Sequence, residues 1–408
     1  MENDSRLDRG NQKYLGIDIG KESHYVSQMD SDGKMLIRGM KIDNDRQSFE
    51  GLDKLLARDK GNLQIGFEPT GHYWKPLYGF LKGRGYHLKM VNSYHTKLHK
   101  EVIDNSRRKT DSKDSVVISD LLRIGRSFKS LEVAGVYLDL RKVTVAREKM
   151  VKELIRAKIR LITVLDEYLP EYEKCFCDIA GMTSLGLLEK YGLNGLRESE
   201  ETPLVEDILK LSRKKIGSAK AGEIWRLFQS SIGNSDGLAG AEIEIKLWLT
   251  QIKMWQGQIK EINRMLKGLL AKTEEARWLL SIKGVGSITA SIILGQTGSF
   301  KNYSNYKKIE KLAGLDLVEN SSGKHIGQKA MSKRGRDLLR YGLYRVGIVA
   351  IAKNAEIKAL YEEKLRQGKK KMVALTSVII KLLRIMFSLV KNRQEYDGRK
   401  LLLAGATT

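Results

Sequence analysis

The spacing of apolar residues changes period along the chain. Residues 14–20, Tyr-Leu-Gly-Ile-Asp-Ile-Gly, form a short apolar run with Asp18 set into it. Residues 24–29 and 35–42 alternate, with Asp30-Ser31-Asp32-Gly33 between them, so the opening predicts three antiparallel strands. Residues 46–56 have helical spacing, 63–67 read as a buried strand ending at Glu68, 74–84 as a helix and 86–91 as a fifth strand. A further helix follows Asp111. Three strands in a meander, then alternating helix and strand, is the order of the ribonuclease-H-like fold, in which the fourth strand lies beside the first.

Beyond this α/β part the period becomes helical. Val151, Leu154, Ile155, Ile162, Leu165 and Tyr168 form one stripe, and Ile245, Leu249, Ile252, Trp255, Ile259, Ile262, Leu266 and Leu269 a second, spaced by threes and fours. An antiparallel coiled-coil arm and plain packing in a helical bundle fit the two stripes equally. Residues 170–240 between them are rich in Gly and Ser, with short helical pieces such as 204–211. Residues 280–290 have the form of a helix-hairpin-helix turn, in which Gly284 and Gly286 would let backbone amides approach a phosphate. The expected fold class is therefore α/β plus all-α, with domains at 13–130, 131–275 and 276–408 after a polar tail at 1–12.

Charge changes what such a scaffold is expected to bind. The 408 residues carry 73 Lys and Arg against 49 Asp and Glu, a net charge of +24. Residues 324–408 alone hold 20 basic and 6 acidic side chains, more than half of that surplus. A polyanion partner is expected, nucleic acid before an anionic membrane. The 41% apolar content suffices for sizeable cores, and 30% charged residues with four prolines suggests a helix-rich chain. Cys175 and Cys177, one residue apart, form neither a redox pair nor half of a zinc site and read as reduced thiols. No apolar run is expected to reach the ~18 residues of a membrane span, and a cytoplasmic location follows as the default.

The candidate chemistry begins at Lys109-Thr110-Asp111-Ser112-Lys113-Asp114, where two carboxylates three residues apart share one face of a starting helix. Read alone, they are an ordinary helix start, with Asp111 as N-cap or Asp114 in the first turn. Asp18 alters that reading, because an acid inside a strand is costly unless paired or metal-bound. Glu68, at the end of the neighbouring strand, would come close to it. Four acids without a nearby His suit a hard cation such as Mg²⁺, with Mn²⁺ as a substitute. Gly-Ile-Asp-Ile-Gly also occurs where actin-like sugar kinases hold ATP phosphates, but that reading requires a second phosphate loop, and none is found. In the C-terminal part, Leu312-Ala313-Gly314-Leu315 precedes Glu319-Asn320-Ser321-Ser322-Gly323-Lys324 and Met331-Ser332-Lys333-Arg334-Gly335. Serines in a loop followed by cations make an ordinary polar loop, or a hydroxyl set against a phosphodiester. His325 is the one histidine near them in sequence.

Taken together, Gly-Ile-Asp-Ile-Gly-Lys, Phe-Glu-Pro-Thr-Gly-His-Tyr-Trp, Lys-Thr-Asp-Ser-Lys-Asp, Gly-Val-Gly, Ser-Ser-Gly and Ser-Lys-Arg-Gly occur in an order and spacing that resembles the DEDD-type transposases of bacterial insertion sequences, a family of RNA-bridged serine recombinases. The resemblance runs from Tyr14 to the C-terminal helices. It implies a resolvase-like (RuvC-like) ribonuclease-H domain whose metal-binding tetrad falls on Asp18, Glu68, Asp111 and Asp114. It implies a coiled coil in the middle and a C-terminal transposase domain whose nucleophile, joined to a DNA 5′ phosphate, falls on Ser322, with Ser321 as the competing assignment. Lys324, Lys333 and Arg334 are the expected phosphate contacts, beside Gly284 and Gly286. The implied partners are donor and target DNA, a structured noncoding bridge RNA, and further copies of the chain assembling as homodimer and homotetramer; the implied setting is the bacterial nucleoid. Two departures stand out: Ser115 where the family commonly has Ala, and a longer region at about 170–240. A metal-only nuclease of the junction-resolving kind and a non-catalytic nucleic-acid binder are the rival readings.

Overall fold

A computed structural model describes residues 11–69, 71–103, 111–128, 133–319 and 330–399, without the side chains of 101–103, 111 and 112. The chain divides into two compact units, Met1–Glu132 and Val133–Thr408.

The first unit is built on a six-stranded sheet with β1 (Lys13–Ile19), β2 (Ser23–Met29), β3 (Met35–Asp43), β4 (Leu63–Phe67), β5 (His87–Val91) and β6 (Ser127–Phe128) in the order β3-β2-β1-β4-β5-β6. The first three strands are antiparallel, β4 runs parallel to β1, β5 parallel to β4, and β6 returns antiparallel. Helices α1 (Arg46–Leu56), α2 (Trp74–Gly83), α3 (Ser93–Ile103) and α4 (Asp111–Arg123) complete it. Leu15, Ile17, Ile65 and Phe67 point from the central strands into a core with Phe49, Leu52, Leu77 and Leu81 of α1 and α2. A smaller cluster of Val91, Val117, Ile118, Leu121 and Leu122 belongs to α4 on the opposite face. Alternation along a strand explains both cores, since neighbouring residues serve opposite faces. Helix α3 and strand β6 carry no clear sequence pattern and were not expected.

The second unit is mostly helical. Helices α5 (Val136–Tyr168), α6 (Tyr172–Cys175), α7 (Met182–Glu198), α8 (Glu201–Leu211), α9 (Ser218–Gln229), α10 (Leu238–Ala271), α11 (Ala276–Leu280), α12 (Ser287–Thr297) and α13 (Tyr306–Ala313) are followed by a hairpin of β7 (Leu317–Val318) and β8 (Ala330–Met331). Helices α14 (Asp337–Lys353), α15 (Ala355–Arg366) and α16 (Lys371–Asn392) complete it. The two long helices, α5 and α10, are antiparallel: Leu140 near the start of α5 shares a core with Leu266 and Leu270, while Leu161 near its end shares another with Ile245. Each end of the pair is thus embedded in its own helical cluster.

Three expectations need correction. The predicted stripe on α5 holds in part: Leu165 is buried and Leu154, Ile162 and Tyr168 pack against the same core, but Ala157, Leu161 and Val164 join it and Ile155 is exposed. Residues 170–240 are largely helical beyond the short pieces expected: Gly181, Gly217 and Gly237 lie at helix starts and Gly192 at a kink, while Gly186, Gly195 and Gly222 sit inside α7 and α9, where packing outweighs their low helix propensity. At that kink, Gly192 has φ 62°, and Glu242 takes the place of a cap by accepting from the amides of Leu193 at 2.5 Å and Asn194 at 3.1 Å. Finally, α16 is long and apolar enough to cross a membrane by length and composition. Leu375, Val378, Ile379, Leu382, Leu383, Met386 and Val390 spend that apolar character in the C-terminal core, which accounts for it without a bilayer.

Candidate active site

The register of β1 and β4 decides where the first two acids lie. Gly16 pairs with Gly66 and Ile17 with Phe67, so Asp18 and Glu68 are the next residues along two adjacent parallel strands. Both glycines face α4. A Cβ on Gly16 would stand 2.3 Å from the Ser115 carbonyl oxygen and the Ser119 amide, and one on Gly66 would stand 2.6 Å from Leu122 Cδ1. Two residues on, the pleat returns to the same face, which puts Asp18 and Glu68 on the α4 side. The Arg123 guanidinium at the far end of α4 reaches Gly33 in the β2–β3 turn, beside the start of β1. Helix α4 therefore begins at the end of the sheet where β1 and β4 finish.

Asp114 lies in the first turns of that helix and is 7% exposed. Its Oδ2 is 2.5 Å from Lys100 Nζ of α3, an ion pair that answers the cost of burying the carboxylate. Asp111 opens α4, and its side chain lies outside the described residues. Among the described residues no three of His, Cys, Asp and Glu gather closely enough to hold a metal ion. Ser115, the departure noted above, is buried with its Oγ 2.7 Å from Ser27 Oγ, which also accepts from the Gly39 amide at 2.9 Å. Its hydroxyl is thereby satisfied inside the sheet–helix interface. A second α3–α4 contact joins His99 Nε2 to Asp120 Oδ2 at 2.6 Å, with Arg123 Nη2 on Asp120 Oδ1 at 2.6 Å. Burial raises the Asp120 pKa, but the bonds from His99 and Arg123 outweigh it and hold the carboxyl below its ordinary value. Lys100, His99 and Asp120 were not singled out in the sequence; no motif marks them, because their partners are set by how α3 meets α4.

In the second unit, Ser321, Ser322, Lys324 and His325 lie outside the described residues. The frame around them is described. Strand β7 pairs Leu317 with Met331 and Val318 with Ala330 of β8. At the base of this hairpin the Ser332 hydroxyl donates to Asp316 Oδ1 at 2.5 Å, and the Ser332 amide donates to the Asp316 carbonyl at 2.8 Å. The Lys333 amide donates to the Gly314 carbonyl at 3.0 Å, and the Arg336 amide to the Leu312 carbonyl at 2.8 Å. A Cβ on Gly335 would meet the Gly314 amide at 2.4 Å. Leu-Ala-Gly-Leu and Ser-Lys-Arg-Gly are thus two turns locked onto each other. Lys333, at φ 53°, and Arg334 are exposed beside them. Nearby Glu310 is pushed up by burial, then by the Asp316 carboxylate.

Gly284 and Gly286 lie in the turn between α11 and α12. Gly284, at φ 109°, passes so close to α14 that a Cβ would stand 2.5 Å from Ala350 Cα, which explains that glycine by packing. Gly286 is exposed and its amide donates to Thr289 Oγ1 at 3.1 Å. Cys175 is half-buried and Cys177 exposed, both as free thiols.

Comparison with known proteins adds a family to this geometry. Residues 15–170 match the DEDD model for IS110, described as a transposase, and residues 276–362 match the model described as the transposase IS116/IS110/IS902 family. The chain is 23% identical over 391 residues to an uncharacterized 44.8 kDa protein of insertion element IS116 from Streptomyces clavuligerus, covering 93% of this chain and 95% of that protein. It is 21% identical over 392 residues to an uncharacterized 43.6 kDa protein of insertion element IS110 from Streptomyces coelicolor, covering 95% and 96%. Over 83 residues it is 41% identical to the transposase for insertion sequence element IS1328 of Yersinia enterocolitica, 20% of this chain and 25% of that one.

Proposed function

The chain belongs to the IS110 family of DEDD-type transposases and is a DNA-acting enzyme, and from that premise we propose that it cleaves and rejoins DNA strands with a Mg²⁺-binding carboxylate set and a serine nucleophile. The observation that carries the metal half is the β1–β4 register, which brings Asp18 and Glu68 side by side on the face covered by α4. Asp114 is a buried carboxylate whose Oδ2 is held by the Lys100 ammonium, a contact that a bound cation would share or displace. Asp18, Glu68, Asp111 and Asp114 would hold the metal, and the strand order is compatible with the ribonuclease-H-like, resolvase-like domain proposed here. When bound, Mg²⁺ supplies charge neutralisation at phosphoryl oxygens.

The protein's own residues do the rest in this proposal. The Ser322 hydroxyl oxygen replaces the 3′ oxygen on the phosphorus, leaving a 5′-phosphoserine link and passing its proton to the departing 3′ hydroxyl; the reverse step rejoins a strand. Lys324, Lys333 and Arg334 contact phosphates around it. A structured noncoding RNA that pairs with donor and target DNA, and assembly as dimer and tetramer, are carried from the family resemblance.

Asp111→Asn is expected to abolish Mg²⁺-dependent strand exchange on plasmid substrates while leaving DNA binding within about twofold; recombination at the wild-type rate would sink the metal-site assignment. A denaturation-resistant protein–DNA adduct is expected in the wild type and absent in Ser322→Ala. Its loss in Ser321→Ala alone moves the nucleophile to Ser321. Mg²⁺-dependent cleavage with no adduct under any condition identifies a metal-only nuclease.

A further inference from the structure

Two arginines of the second unit are held in the protein without the counter-charge that half-buried arginines need. Arg141 on α5 and Arg336 at the start of α14 are both half-buried, and among the described residues neither guanidinium has a carboxylate partner. They lie close enough to interact with each other and with buried Tyr303. Burial, then repulsion from Arg141, pushes the Arg336 pKa down to about 10, a size of penalty that protein groups seldom leave unanswered.

The end of α12 does not answer it. Arg336 Nη1 donates to the Gln296 carbonyl, and the Tyr303 hydroxyl donates to the Thr297 carbonyl at 2.7 Å. Those two bonds occupy the Gln296 and Thr297 carbonyls at the end of the helix, whose partial negative charge is about half a unit against two full positive ones. Arg141 is then left over: its backbone is packed against Gly295, where a Cβ would stand 2.8 Å from the Arg141 amide, but among the described residues its guanidinium makes no hydrogen bond or ion pair. Gln296, 4% exposed, adds a second unanswered donor, because its Nε2 has no acceptor. Among the described residues, spare donors, the lack of an acid and two excess positive charges call for a tetrahedral oxyanion.

We propose that Arg141, Arg336 and the Gln296 side-chain amide form an internal phosphate site that takes one backbone phosphate of a DNA strand. The site rests on the reading of the chain as a DNA strand-exchange enzyme. It deepens that reading because Arg336 directly follows the Ser-Lys-Arg-Gly turn locked at the base of the serine hairpin, so a phosphate held there registers the strand relative to that hairpin. The neighbouring surface continues the charge. Arg147 of α5 and Arg345 of α14 interact with each other, while Arg147 Nε donates to Asn263 Oδ1 at 2.7 Å and Arg345 lies over the Tyr341 ring. Glu148 is the acid beside them.

Arg141→Gln separates binding from folding, because the native guanidinium has no partner to lose among the described residues. In fluorescence anisotropy on duplex DNA, the variant of the full chain is expected to bind about tenfold more weakly, with a salt slope lower by about one, and to melt at or above the wild-type temperature. Arg141→Lys should recover part of the affinity. Inorganic phosphate, at ionic strength matched with chloride, should raise the wild-type melting temperature more than that of Arg141→Gln. Unchanged DNA affinity and slope in Arg141→Gln would overturn the site alone, as would a fall of several degrees in its melting temperature. A loss confined to an RNA duplex would overturn the DNA assignment. Phosphate stabilisation through Arg141 in a wild type without salt-sensitive DNA binding would overturn that assignment together with the strand-exchange reading.

Discussion

At the scale of single residues, the side chains that matter are those whose charge or polarity the fold has to answer. Asp114 is answered by Lys100, Asp120 by His99 and Arg123, and Ser115 by Ser27. His24 is not answered. It is fully buried in β2, stacks on Phe49 with ring centroids 6.1 Å apart, and among the described residues neither ring nitrogen makes a full hydrogen bond, Asn44 giving only weak polar support. Burial lowers its pKa, only partly opposed by Asn44, so the folded chain keeps the ring neutral where the unfolded chain takes up a proton near 6.5. Because the unfolded state binds the extra proton, stability falls as pH drops below about 6.5. Urea unfolding at pH 7.5 and 5.5 should show that loss in the wild type and a smaller one in His24→Leu. Equal losses in both would show that other groups set the acid limb.

At the scale of elements, α4 is the piece on which the metal half depends, and its seat is defined by glycines. Gly16 has the Ser115 carbonyl and Ser119 amide where a Cβ would go, and both belong to helix backbone that cannot step aside like a side chain. Gly16→Ala should therefore lift α4 from β1 and destabilise the protein by about 1–3 kcal/mol, measured by urea unfolding. Since Asp114 travels with α4, strand exchange should fall by more than the loss of folded protein explains. A variant that is destabilised but retains full activity per folded molecule would uncouple α4 seating from the site. In the second unit Gly284 has the same dependence on Ala350, with the added strain of φ 109°.

At the scale of the whole molecule, the chain carries separate cores in Met1–Glu132 and Val133–Thr408. Calorimetry should resolve more than one unfolding transition, with His24→Leu altering only the transition of the first unit. A single transition that shifts as a whole in this variant would mean that the units unfold together. The positive surplus belongs to this scale too: residues 324–408 hold more than half of the net +24, and the described part of that stretch folds into helices around the α16 core rather than trailing as a basic tail.

Much of this was legible in the sequence, for a physical reason. Strand alternation, helical stripes and turn residues act over a few positions, so the bounds of α1 at Arg46–Leu56 and β4 at Leu63–Phe67 could be read directly. So could the family, whose two models match residues 15–170 and 276–362. The extent of helix in the middle and the apolar length of α16 were underestimated, because a glycine inside or at the end of a helix looks like one in a loop until the neighbours that pack around it are known. What only the tertiary structure decided are relations between distant residues. The register beside Gly16 and Gly66 sets Asp18 next to Glu68. The α3–α4 contact gives Lys100 to Asp114. The meeting of α5, α12 and α14 leaves Arg141 and Arg336 with more positive charge than the described residues around them balance. Pairing energies of this kind depend on distance in space and burial, which no local pattern encodes.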